Sequence, residues 1–170
     1  VTQNLIEQEG TYRITEAQLE RLLFKVVVDY PNAEEELEII MREQALENTT
    51  KVSKIETIIQ GSKIIEFRGL VNQIKIEHNL LKYIANVVVN TRSNSFLYLG
   101  ASPRASIAIL SASKAFAAIE GRDFVTPEDI KRATIPVLQH RVIVTTEREM
   151  EGLTSKQIIE QIIEAVEIPR

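Results

Sequence analysis

The stretch Gly100-Ala101-Ser102-Pro103-Arg104-Ala105 decides how this chain is read. Ser102 carries a side-chain oxygen able to accept from the first free N–H groups of a helix. Pro103 fits the first helical position, where its missing donor would be unpaired in any case. Ala105, Ala108, Ala112, Ala115, Ala117 and Ala118 follow, and Gly121 stands where a helix stop is expected. The spacing therefore predicts a helix over 103–120 whose small side chains let neighbouring backbones approach, the central helix of a bundle. A helix N-terminus carries roughly half a positive charge. Arg104 gains nothing from that dipole in the first turn. An anionic ligand would explain its presence, and so would a carboxylate from a neighbouring helix.

Working outward, Thr126-Pro127-Glu128-Asp129 predicts the next helix, with an N-cap, a proline at the first position and two acids in the first turn. Pro136 is expected to kink or end it. A short strand is expected over Arg141 to Thr145. A final amphipathic helix is expected from Thr154 along Ile158, Ile159, Ile162, Ile163 and Val166. On the other side, Glu77 to Arg92 has a strong helical period, and Asn94 to Leu99 reads as a loop with an apolar, hairpin-like edge. Between Lys51 and Gly69 the period weakens: a short helix through Ile55, Ile58 and Ile59, broken at Gly61, then another over Ile64 to Ile74. Asn32 to Glu47 is the clearest helix, with Asn32 as cap, Glu34 to Glu36 in the first turn, and Leu37, Ile40, Met41 and Leu46 on one face. Thr15, with Gln18 in the capping-box position, opens a helix running to Leu23. Val26 to Val28 then predicts a buried strand of a parallel sheet, for which the chain supplies no partner. Asn4 to Tyr12 has loop composition.

The 170 residues are 44% hydrophobic, enough for a sizeable core, with no apolar run near the roughly 18 residues of a membrane span and no leader. The absence of cysteine excludes thiolate catalysis and a disulfide framework and fits a reducing cytoplasm. A net charge of −4 argues against a nonspecific nucleic-acid binder, and 5% aromatic content leaves little for base stacking. His78 and His140 lie far apart without ligand spacing, so no metal site is expected, and both read as surface or loop histidines. No nucleophile is marked with its base, and no GK[ST] loop occurs. Arg21, considered on its position alone, is best explained as a solvated arginine paired with Glu16 or Glu20.

Taken in order, Val1-Thr-Gln-Asn4, Glu7-Gln-Glu-Gly-Thr-Tyr12, Glu16-Ala-Gln-Leu-Glu-Arg21, Asp29-Tyr-Pro31, Leu99-Gly-Ala-Ser-Pro-Arg-Ala105, Glu120-Gly-Arg-Asp-Phe-Val-Thr-Pro-Glu-Asp129 and Gln139-His-Arg141 resemble the C-terminal half of MoxR-type AAA+ ATPases. The resemblance implies a mainly α fold: residues 1–30 as the end of an α/β P-loop core and 31–170 as a helical lid. It implies that Asn4 is sensor 1, orienting the attacking water. Arg21 becomes the arginine finger, acting on nucleotide held by the neighbouring subunit, which replaces the solvated reading. Arg104 becomes sensor 2, contacting the γ-phosphate of its own subunit. ATP and Mg2+ are the implied cofactors of the intact protein. A cytoplasmic homo-oligomeric ring, a hexamer, is implied, with protein clients, partners carrying a von Willebrand factor A domain, and chaperone-like maturation of metalloenzymes.

The sequence departs from the family pattern at Leu5 and Arg13-Ile-Thr15, where prolines are usual, and at Glu20 and Leu22, where Asp and Phe are usual. Walker A and Walker B segments are expected upstream of Val1, as for a chain cut inside a domain. Their place there would account for the orphan strand and predicts that these residues alone neither bind nor hydrolyse ATP. Rival readings are a helical interaction module with no nucleotide role and a DNA-associated AAA+ motor.

Overall fold

The computed structural model describes residues 15–45 and 56–168. Asn4, Leu46 and the segment around Ile55 lie outside them. The described residues form α1 (Glu16–Leu19), α2 (Ala33–Gln44), α3 (Gly61–Gln73), α4 (His78–Ser93), β1 (Leu97–Leu99), α5 (Pro103–Ile119), α6 (Pro127–Leu138), β2 (Ile143–Val144), α7 (Thr146–Met150) and α8 (Ser155–Ala165). None of the described helices is long and apolar enough to cross a membrane.

The chain divides into two compact units, Val1–Lys25 with Leu70–Arg170, and Val26–Gly69. The first is a helical bundle around α5, which packs on α6 and α4, while α8 closes over α6 and α4. The alanines permit this: Ala105, Ala108, Ala112 and Ala117 are buried at the helix contacts. Ile158, Ile159, Ile162 and Ile163 fill the core from α8, each side chain contributing roughly 1.5–3 kcal/mol by leaving water. β1 and β2 pair antiparallel, Leu97 with Val144 and Leu99 with Ile143, with an irregularity between Leu97 and Leu99. They join the edges expected at Asn94–Leu99 and Arg141–Thr145.

The helix ends follow local chemistry. Gly121 adopts φ +73°, and Gly121 N–H and Arg122 N–H donate to Ala118 and Ala117 carbonyls at 3.0 and 2.9 Å, the two-bond stop that favours glycine. The α6 start has its capping box, with Asp129 accepting from Thr126 N–H at 2.8 Å. Burial alone would raise the Asp129 carboxyl, but the Arg122 fork at 2.7 Å and the Thr126 N–H hold it below its usual value. Pro136 lies inside α6, and the helix continues two residues past it, to Leu138. Thr154 and Gln157 form the box at α8. The one-turn α7 carries too few residues for a sequence period.

In the second unit, Asn32 caps α2, accepting from Glu34 and Glu35 N–H at 3.0 Å while Glu35 accepts from Asn32 N–H. Gly61 starts α3 rather than breaking a helix. The expected Val26–Val28 strand is not formed: the three valines are exposed and in no ladder. An extended segment becomes a strand only when neighbours satisfy its N–H and C=O groups, and none of the described residues does so here.

Candidate functional site

The start of α5 is held from behind by α4. A Cβ on Gly100 would lie 2.6 Å from the Thr91 carbonyl oxygen and 2.7 Å from the Arg92 backbone, so only glycine lets the two main chains approach this closely. Thr91 Oγ1 accepts from Ala101 N–H at 2.9 Å and donates to the Val88 carbonyl at 2.6 Å. Arg92 Nε donates to the Ala101 carbonyl at 2.8 Å. Thus pinned, Ser102 caps α5, its hydroxyl oxygen accepting from Arg104 N–H at 3.3 Å.

An anion does sit at this helix start, and it belongs to the chain itself. The Glu20 carboxylate accepts from Arg104 Nη1 at 3.0 Å. The neighbouring Ser102 hydroxyl, and to a lesser degree Arg104, draw the Glu20 carboxyl below its ordinary pKa, against an opposing effect of burial. The Arg104 side chain remains 63% exposed. Of the partners expected for Arg104, the carboxylate of a neighbouring helix end is present, and the side chain stays open to solvent.

Arg21 follows directly, just past α1. It is exposed, and its side chain has no hydrogen bond or ion pair with any described residue. The Glu20 carboxylate expected to pair with it turns instead to Arg104. Arg21 and Arg104 are thus brought to opposite neighbours of one residue, while Asn4 lies outside the described residues.

Sequence reasoning missed the groups that hold Arg21 in place. His140 is part-buried and not a surface histidine: Nε2–H donates to the Leu22 carbonyl at 3.0 Å. Burial lowers its pKa, opposed by the Leu22 bond and aided to a lesser degree by the positive charges of Arg141 and Lys25. Arg141 is buried, at 6% exposure, and burial lowers its pKa too, although guanidinium stays charged. Both residues were visible only inside a family string. Among the described residues no cluster of His, Cys, Asp or Glu could hold a metal ion.

A model of the AAA lid domain matches residues 89–162, the bundle that carries Arg104. Chaperone MoxR1 of Mycobacterium tuberculosis is 33% identical over 99% of this chain and 46% of its own length. Over nearly its whole length the chain is similar to part of MoxR-type AAA+ proteins. YeaC of Bacillus subtilis, an uncharacterised protein, is 35% identical over 99% of this chain and 52% of its own length. A crystal structure of a candidate ATPase from Cytophaga hutchinsonii superposes with a TM-score of 0.87 at 37% identity, covering 99% of this chain and 53% of that one. The chain spans about half the length of the curated relatives it matches. The mainly helical fold is that of an AAA lid bundle with a remnant of the core, as the family resemblance implies.

Proposed function

We propose that this chain is the sensing and lid half of an ATP-hydrolysing ring, with residues 1–30 ending the α/β core and 31–170 forming the lid. The observation that carries the reading is the α5 start, where an exposed arginine beside the capping serine already binds a carboxylate. A carboxylate held there stands in for a phosphate oxygen, so the residues present fit the terminal phosphate of ATP. That pair is exposed and worth about 0–1 kcal/mol, weak enough for a more highly charged anion to displace.

In this reading Arg104 binds the γ-phosphate in its own subunit as sensor 2 and couples nucleotide state to the lid. Arg21, unpaired and exposed, serves the neighbouring subunit as arginine finger, stabilising the charge that develops in phosphoryl transfer. Asn4 orients the attacking water as sensor 1. Mg2+ with ATP supplies the bridging of phosphate oxygens and neutralises their charge. The ring is a cytoplasmic homo-hexamer remodelling protein clients in chaperone-like fashion, with von Willebrand factor A domain partners and metalloenzyme maturation as the work. Kinship with a chaperone supports the client role.

The test is ATP turnover by the intact protein. Arg21→Ala is expected to lower kcat by about a thousandfold, the scale of a lost finger, and Arg104→Ala to lower kcat with weaker nucleotide binding. Wild-type turnover by Arg21→Ala rings would eliminate the finger and favour a helical module without a nucleotide role. The 170-residue chain alone is expected to turn over no ATP with Mg2+, and measurable turnover would overturn that expectation.

A further inference from the structure

Three consecutive side chains at the end of α6 hold one short stretch of backbone. Arg141 places all five of its N–H groups on main-chain carbonyls. Nε and Nη2 donate to Glu20 at 3.3 and 3.0 Å, Nη2 to Leu22 at 2.6 Å, and Nη1 to Leu23 at 3.2 Å and Val137 at 2.5 Å. His140 donates to the same Leu22 carbonyl, and Gln139 Nε2 donates to the Lys25 carbonyl. Lys25 N–H returns a bond to the Pro136 carbonyl at 2.9 Å, and Phe24 stacks on Phe116 of α5 with ring centroids 6.3 Å apart.

The carbonyls on both sides of Arg21 are therefore fixed by the lid bundle, while the Arg21 side chain itself is left in solvent. A guanidinium often forms a bidentate pair with a carboxylate. Here it is desolvated to gather carbonyls that would otherwise have to be hydrated, and what it gains is the path of the backbone through residues 20–23. From this geometry we infer that Arg141, assisted by His140 and Gln139, is a positioning residue that aims Arg21, so that any displacement of the lid carries Arg21 with it. The inference rests on the reading of Arg21 as an arginine finger. Glu20 touches both arginines, its carboxylate meeting Arg104 and its carbonyl meeting Arg141.

Two measurements test it separately. The chain contains no cysteine, so Arg21→Cys carries a single nitroxide. Its spectrum is expected to report a restricted backbone, and adding Arg141→Met is expected to mobilise it. If Arg141→Met does not fold, Arg141→Lys and Gln139→Ala are expected to mobilise it in smaller steps. An unchanged spectrum in the folded variants overturns the clasp whatever Arg21 does.

In the intact protein, Arg141→Lys is expected to lower kcat for ATP by about tenfold with KM within about twofold. It is expected to add less than about twofold on an Arg21→Ala background, because it acts through Arg21. A merely structural role would lower activity by the same factor on both backgrounds, and that result overturns positioning. If Arg21→Ala leaves kcat unchanged while the nitroxide responds, the finger reading falls and the reaction role of the clasp with it.

Discussion

Arg104 and Arg141 approach the same residue, Glu20, from opposite sides, and the contrast between the two sides explains the division of labour. Arg104 meets the carboxylate in the open, 63% exposed, in a single contact of 3.0 Å. Arg141 meets the carbonyl at 6% exposure, with every donor engaged. Water competes for the first contact and is excluded from the second. The same side-chain chemistry is open to solvent on one side and enclosed on the other.

Arg141→Met breaks the contrast most severely. It leaves the carbonyls of Glu20, Leu23 and Val137 without these donors and Leu22 with His140 alone, and a loss of about 3 kcal/mol is expected, since each buried acceptor left unsatisfied costs about 1–3 kcal/mol before relaxation. Denaturant unfolding of the chain measures it, and a loss below about 1 kcal/mol would place the clasp among the weak surface contacts.

Gly100→Ala acts on the exposed side through its support. The added Cβ meets α4 backbone at 2.6–2.7 Å, which neither helix can yield cheaply, and overpacking of this kind costs about 1–3 kcal/mol. The variant is expected to lose Arg104 function along with stability, seen as weaker nucleotide binding by the intact protein. Full stability would mean that the α4–α5 approach is looser than its geometry.

Acid should loosen the buried side before the exposed one. Burial keeps the native pKa of His140 below its ordinary value, so the unfolded chain takes up the proton first. The neutral ring's contribution is whole above about pH 6.5 and is lost as pH falls from there through the native value. Stability measured between pH 7.5 and 5 is expected to decline in that window for the wild type and not for His140→Gln. The Glu20 carboxyl, held low, loses its contribution only at lower pH, as pH falls from its ordinary range through its native value.

The smallest effect is expected from Arg104→Ala, which should change stability by less than about 1 kcal/mol, in keeping with an exposed ion pair. Added salt should abolish even that. A larger loss would mean that Arg104 is a structural residue rather than a displaceable one.

How much of this was legible varied with the reach of each contact. Ser102, Pro103 and Gly121 announced α5 because a helix is started and stopped by residues within a turn of its ends. The α8 isoleucines announced a buried face because its period of 3.6 is written locally. The Val26–Val28 run shows a strand preference in its β-branched composition, whereas a strand exists only with partners, and among the described residues it has none. His140 and Arg141 were harder to read. Their acceptors are carbonyls of residues 20–23, more than 110 positions away, and a main-chain carbonyl looks the same in every sequence. Nothing in residue type or spacing marks it as a partner.

The sequence by itself thus determined the helix caps, the alanine-lined centre of the bundle and, through ordered motifs, the kinship with MoxR-type ATPases. Tertiary structure alone decided which anion occupies the α5 start and which residue it belongs to. It alone decided that Arg104 stays open to solvent while Arg141 is enclosed. The physical reason is that caps and periods depend on neighbours along the chain, whereas desolvation, and with it the strength of each arginine contact, depends on what the fold brings around it.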